Sequence, residues 1–96
     1  MQSKRSRPSL DPAAVAEGIG KVVKGPGYAR VVVDGETIAY IKPGTVTVPA
    51  SLVAKAPRRL GTFKVERNGR WAGVALTDTA KARKVLEYVV GQKASA

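Results

Sequence analysis

Two dipeptides constrain the fold of this 96-residue chain more than any other feature: Asp34-Gly35 and Asn68-Gly69, each set between runs that read as strands. A two-residue hairpin loop needs positive φ at both central positions, and Asp-Gly and Asn-Gly reach it at least cost. Each pair therefore predicts a type I′ turn, a hairpin and a register. Around the first, residues 28–33 and 36–42 pair so that Val33 faces Glu36, Val31 faces Ile38 and Ala29 faces Tyr40. On the other face Val32 meets Thr37, Arg30 meets Ala39 and Tyr28 meets Ile41. Apolar residues on both faces read as a central pair covered on each side. Around the second, residues 62–67 and 70–76 sort better. Phe63 opposite Val74 and Val65 opposite Ala72, with Leu76, make an apolar face, while Lys64 opposite Gly73 and Glu66 opposite Trp71 lie on the polar one.

Helices are predicted at the two ends. Asp11 is a good N-cap and Pro12 suits the first helical position. Val15, Ile19, Val22 and Val23 then recur at helical spacing until Gly25-Pro26 stops the chain. Gly18 and Gly20 weaken this helix by about 1 kcal/mol each, so it must be held by packing. Pro43-Gly44 turns the chain into a short third strand, residues 45–48. Residues 49–54 read as about a turn and a half of helix before Pro57, and Arg58-Arg59 as loop. The last helix starts near Thr77 as N-cap with Asp78 in its first turn. It carries the stripe Ala82, Val85, Leu86, Val89 and Val90, and ends at Gly91.

Helices at the ends and strands in the middle indicate one small α+β domain. It is an antiparallel meander of about five strands, two hairpins among them, with an N-terminal and a C-terminal helix packed on the sheet. Residues 10–91 form that domain, 92–96 are expected to fray, and 1–9 read as a basic arm, either a loose terminus or a grip on an anionic partner. No stretch has the 18 or more apolar residues of a membrane span, and the basic start lacks the apolar core of a secretory signal. The absence of Cys leaves stability to packing and fits a cytoplasmic protein.

Charge supplies the functional signal. Seventeen Lys and Arg stand against seven Asp and Glu, a formal charge of +10. Solubility alone is served by a net charge of about 2–8, so the surplus points to a polyanion. It is densest between Lys55 and Arg70, where Lys55, Arg58, Arg59, Lys64, Arg67 and Arg70 are opposed only by Glu66. The predicted register sets Arg67 against Arg70 at the hairpin tip, an arrangement that costs stability but offers paired guanidinium forks to phosphate. The competing reading is a solvated tip whose charges guard an edge against aggregation. Lys4, Arg5 and Arg7 of the arm join the candidate nucleic-acid-binding set. Trp71 joins it if exposed, since it can then stack on a base or sugar. The reading preferred for Trp71 is core beneath a covering helix, because Trp is highly buried on average. Tyr28, Tyr40 and Tyr88 read as packing residues with a hydroxyl near the surface.

The chain has no His and no Cys, and no pair of carboxylates has a reason to converge. No catalytic residue, metal or cofactor is expected. A ribonuclease built on Arg, Lys and Tyr is physically possible through charge stabilisation, but no spacing specifies one. Gly18 to Gly27 lacks the GxxxxGK[ST] pattern of a phosphate loop. The function expected is therefore a small basic DNA- or RNA-binding protein of low sequence specificity. The alternative is a protein-interaction module or inhibitor, phage- or toxin–antitoxin-related, that docks on an acidic partner protein.

Residues 33–86 also carry a pattern made of Val33-Asp34-Gly35-Glu36-Thr37-Ile38-Ala39-Tyr40, Val46, and Trp71 with Val74 and Leu76 leading into a capped helix. This resembles the YjbR-like small domains. The resemblance implies a compact α+β fold and a link to DNA binding.

Overall fold

The computed structural model describes residues 10–95. In chain order they form α1 (Pro12–Ala16), β1 (Lys21–Gly25), β2 (Tyr28–Val33), β3 (Glu36–Lys42), β4 (Thr45–Pro49), β5 (Lys64–Val65), β6 (Trp71–Ala75) and α2 (Thr79–Ser95). Single 3₁₀ turns at Ala50–Leu52 and Arg58–Leu60 lie between β4 and β5. The strands make one antiparallel sheet in the order β1-β2-β3-β4-β6-β5. The α+β class and both hairpins are present. The sheet has six strands where the sequence pattern predicts five, and β6 lies between β4 and β5, so the chain departs from a simple meander.

The sixth strand comes from the segment expected to continue the first helix. Asp11 does cap α1, its Oδ1 accepting from the Ala13 N–H at 3.2 Å. The helix then stops after five residues. Gly18 adopts a φ of 76°, and the N–H groups of Ile19 and Gly20 both return to the Ala16 carbonyl, at 2.8 and 3.1 Å. A glycine just past the last turn closes a helix in this way. The β-branched pair Val22-Val23 is stiff at χ1 and suits an extended chain, so residues beyond Gly20 pair along β2 as β1, with Val22 opposite Val31.

A five-residue helix does not hold itself. Here a side chain from the other end of the chain completes it. The Arg83 guanidinium of α2 donates to the carbonyls of Ala14 at 2.9 Å and Glu17 at 2.8 Å, with the Val15 carbonyl at 3.5 Å. A cation thus sits at the negative end of α1, while Val15 and Ala16 are buried beneath.

The β2–β3 turn has Asp34 at φ 54° and Gly35 at φ 78°, as a type I′ turn requires. Val33 faces Glu36 and Val32 faces Thr37 as expected, but the register then slips by one residue. Val31 pairs with Ala39, Arg30 with Tyr40 and Ala29 with Ile41. The cause is a β-bulge, which moves one residue of β3 out of step. It sorts the faces: Ala29, Val31, Ala39 and Ile41 are all buried, while Arg30 and Tyr40 go together to the opposite side. A one-residue slip exchanges the two faces of a strand, so a uniform register necessarily reads this hairpin as apolar on both.

The second hairpin keeps its predicted pairs, Lys64 with Gly73 and Val65 with Ala72. Its turn differs. Gly69 is at φ 72° but Asn68 is not positive, and the Gly69 N–H returns to the Glu66 carbonyl at 2.9 Å. The loop is therefore residues 67–70, longer than the Asn68-Gly69 pair alone. Asn68 sets it with its side chain, Oδ1 accepting from the N–H groups of Arg70 at 2.8 Å and Trp71 at 3.3 Å. Arg67 and Arg70 are exposed loop residues and not opposed ladder partners.

Helix α2 is capped by Asp78 in place of Thr77, Oδ1 accepting from Ala80 N–H at 2.8 Å. It passes through Gly91 to Ser95, so residues 92–95 continue the helix that the glycine was expected to end. Lys93 in its last turn bonds the Glu36 carboxylate of β3. Ala82, Val85, Leu86 and Val89 are fully buried. They close one core with Val15, Val31, Ile41, Val46, Val48 and Val74, and Val53 and Leu60 of the β4–β5 connection seal its end. Among the described residues no helix is long and apolar enough to cross a membrane.

Candidate functional site

Both helices lie on one side of the sheet. α1 packs on α2, β1 and β2, while α2 packs on β3, β4 and the two 3₁₀ turns. The strand registers then assign every sheet residue to a helix-covered face or an open one. Among the described residues no helix covers the open face.

The open face is built as follows. β1 contributes Lys21 and Val23, β2 contributes Tyr28, Arg30 and Val32, and β3 contributes Tyr40 and Lys42. β4 contributes Thr45 and Thr47, β6 contributes Trp71, Gly73 and Ala75, and β5 contributes Lys64. Glu66, whose N–H donates to the Trp71 carbonyl at 2.8 Å, continues β5 on the same side. Four cations therefore share this face with one acid. The ion pair found among the described residues, Lys93 with Glu36, belongs to the helical side; Lys21, Arg30, Lys42 and Lys64 make none with any described residue.

Three of the five aromatic residues stand on this face in contact. The Tyr28 and Tyr40 ring centroids are 5.6 Å apart and those of Tyr40 and Trp71 5.0 Å, both edge-to-face. β3 and β6 are separated by β4, about 9–10 Å at ordinary strand spacing. Tyr40 and Trp71 therefore lean toward each other over β4. Thr47, opposite Tyr40 on one side and Gly73 on the other, lies beneath them. It is 3% exposed, and its Oγ1 is buried with no hydrogen-bond partner among the described residues. Tyr28, Tyr40, Lys42, Thr47, Glu66 and Trp71 line a depression of about 330 Å³ here.

Two of the residues singled out by sequence, Lys64 and Trp71, are on the open face, Lys64 exposed and Trp71 half-buried. Trp71 is thus not covered by a helix, contrary to its reading as core. Arg67 and Arg70 project from the loop at the end of this face. Lys55, Arg58 and Arg59 are exposed but belong to the connection packed against α2, away from the open face. Lys4, Arg5 and Arg7 lie outside the described residues. Sequence reading allows Lys21 a place on a basic face but not its strand, and misses Arg30, Lys42, Tyr28 and Tyr40. The bulge conceals the Arg30–Tyr40 pairing, and the helical spacing around Lys21 conceals its strand. The signal for β1 is present in Lys21-Val22-Val23-Lys24, a β-branched pair bracketed by glycines on both sides. Among the described residues no three acidic side chains gather as metal ligands.

No protein-family model, curated protein or solved structure matches the chain.

Proposed function

We propose that this is a small basic nucleic-acid-binding protein of low sequence specificity, with the open face of its sheet as the contact surface. One observation carries the reading: the contacting row Tyr28, Tyr40 and Trp71 set among Lys21, Arg30, Lys42 and Lys64 on a face that no described helix covers. Cations neutralise phosphates and release counterions, while aromatic faces stack on bases of any identity. Arg67 and Arg70 extend the cationic surface past the end of β6. The arm residues Lys4, Arg5 and Arg7 are auxiliary phosphate contacts in this reading, whereas the loop residues Lys55, Arg58 and Arg59, on the side packed against α2, are not part of the contact surface.

The test is an anisotropy titration of labelled DNA and RNA oligonucleotides across a salt series. Four phosphate contacts give a slope near −3 in log K against log salt, at about −0.7 per contact for a single strand. Between about 50 and 200 mM salt, affinity then falls roughly fifty-fold. Replacing Arg30 and Lys42 by Ala is expected to flatten the slope by about 1.4. If the Arg58→Ala/Arg59→Ala double variant loses as much affinity as that one, the contact surface is on the wrong side of the molecule.

A protein partner is the second reading. Val65 is 57% exposed on the two-residue edge strand β5, and Thr45, Thr62, Lys64, Gly73 and Ala75 border an open groove there. A strand of an acidic protein can add to such an edge. No oligonucleotide binding at low salt, with an acidic protein captured whose binding is lost in Val65→Lys, would favour it.

A further inference from the structure

We propose that the depression over Thr47 receives an unstacked nucleobase, so that this face binds single-stranded nucleic acid in preference to duplex. The inference rests on the nucleic-acid reading above and names its substrate class. Thr47 is the one buried polar residue among the described residues, and its hydroxyl is unsatisfied. An orphan buried hydroxyl is costly. Its neighbours along the strand, Val46 and Val48, show that valine fits β4, and valine at 47 would remove the cost with almost the same shape. The hydroxyl therefore does nothing visible for the fold, and Thr47 lines a depression on the face that no described helix covers, its Oγ1 buried beneath the surface there.

The surrounding chemistry fits a base. Tyr40 and Trp71 meet at 72°, edge to face, which leaves ring surface unstacked. Gly73, beside Thr47, carries no side chain to fill the space; a Cβ there would stand 3.7 Å from Thr47 Oγ1. A base sliding onto these rings, with Tyr40 and Trp71 parting by side-chain rotation, brings its polar edge to Thr47. The Lys42 ammonium is at hand as a donor and the Glu66 carboxylate as an acceptor. Arg30 and Lys64, on opposite sides of the depression along the sheet, suit the flanking phosphates. A base held inside a duplex stack cannot make this approach, since its faces are occupied and its edge is paired.

The experiment compares one oligonucleotide as single strand and as duplex, by anisotropy at low salt, with Trp71 emission recorded in parallel. The single strand is expected to bind about tenfold tighter or more and to perturb Trp71 emission. Thr47→Val is expected to melt no lower than the parent, to lose most of the single-strand advantage and to leave duplex binding as it was. Trp71→Ala, checked for folding by circular dichroism, should also lose the single-strand advantage, with some loss of overall affinity because Trp71 belongs to the contact row. A nucleoside monophosphate is expected to compete weakly; if it binds as tightly as the strand, the depression is a free-nucleotide site and the proposal fails. Equal affinity for both forms, unchanged in Thr47→Val, removes the base slot but leaves a cationic nucleic-acid surface standing. No binding of either form at low salt removes both.

Discussion

Arg83 ties the two ends of the chain together, and its removal yields the sharpest stability prediction. Its guanidinium donates to Ala14 and Glu17 carbonyls at 2.9 and 2.8 Å, bridging 69 and 66 residues of sequence. Hydrogen bonds from a charged donor are worth about 1.5–3 kcal/mol each when protected. The Glu17 contact is exposed and the Ala14 contact only partly buried, so the pair together is worth about 2 kcal/mol once solvent screening is allowed for. Arg83→Met keeps the apolar stem over α1 and deletes the donors, which isolates that contribution. For a domain of this size each kcal/mol moves the melting temperature by about 4–8 °C, so a fall of roughly 8–16 °C is expected. Urea unfolding should show the same loss through a lower midpoint at unchanged slope. The damage should be local first: the Val15 amide, bonded to the Asp11 carbonyl at 2.9 Å, should lose hydrogen-exchange protection before the sheet does. A variant within about 0.5 kcal/mol of the parent, the scatter of ordinary surface substitutions, would refute the claim that Arg83 holds α1.

Other substitutions examine the helix and its partners. Gly91→Ala should raise stability by about 0.5–1 kcal/mol, because the residue is inside α2 with open space where a Cβ would go; a glycine that ended the helix would give the opposite sign. Asp78→Ala should cost about 1 kcal/mol through loss of the α2 cap, whereas Thr77→Ala should cost little. Glu36→Gln should change stability by less than about 0.5 kcal/mol, since its pairing with Lys93 is largely solvated. Thermal melts of the purified variants check all of these.

How much of this is legible in the chain depends on the range of the interaction concerned. Asp34-Gly35 sets a turn locally, and the residues beside it pair as that turn dictates. Just beyond them a bulge overrides the register, because burying Ala29, Val31, Ala39 and Ile41 together outweighs a regular ladder. Val15, Ile19, Val22 and Val23 satisfy a helical period, yet Gly18 ends the helix and the neighbouring strand β2 recruits the residues after Gly20. That choice depends on a partner strand that comes later in the chain. The hairpin register alone assigns Trp71 to the correct face. Whether that face is covered depends on where both helices pack, which no local pattern records. The cations of residues 55–70 divide for the same reason: the chain runs from the helical layer, with Lys55, Arg58 and Arg59, across to the sheet edge, with Lys64. Linear density of charge is not density on a surface.

The proposed function stands or falls on polyanion meeting protein on the helix-free side of the sheet. Amide and Trp side-chain NMR shifts, followed through titration with a short single-stranded oligonucleotide at low salt, report on that side residue by residue. The largest changes are expected on Tyr28, Arg30, Tyr40, Lys42, Thr47, Lys64 and Trp71, with α2 nearly silent. Changes centred on Lys55, Arg58, Arg59 and the exposed side of α2, with the Trp71 indole unmoved, would place the contact on the helical layer and overturn the proposal.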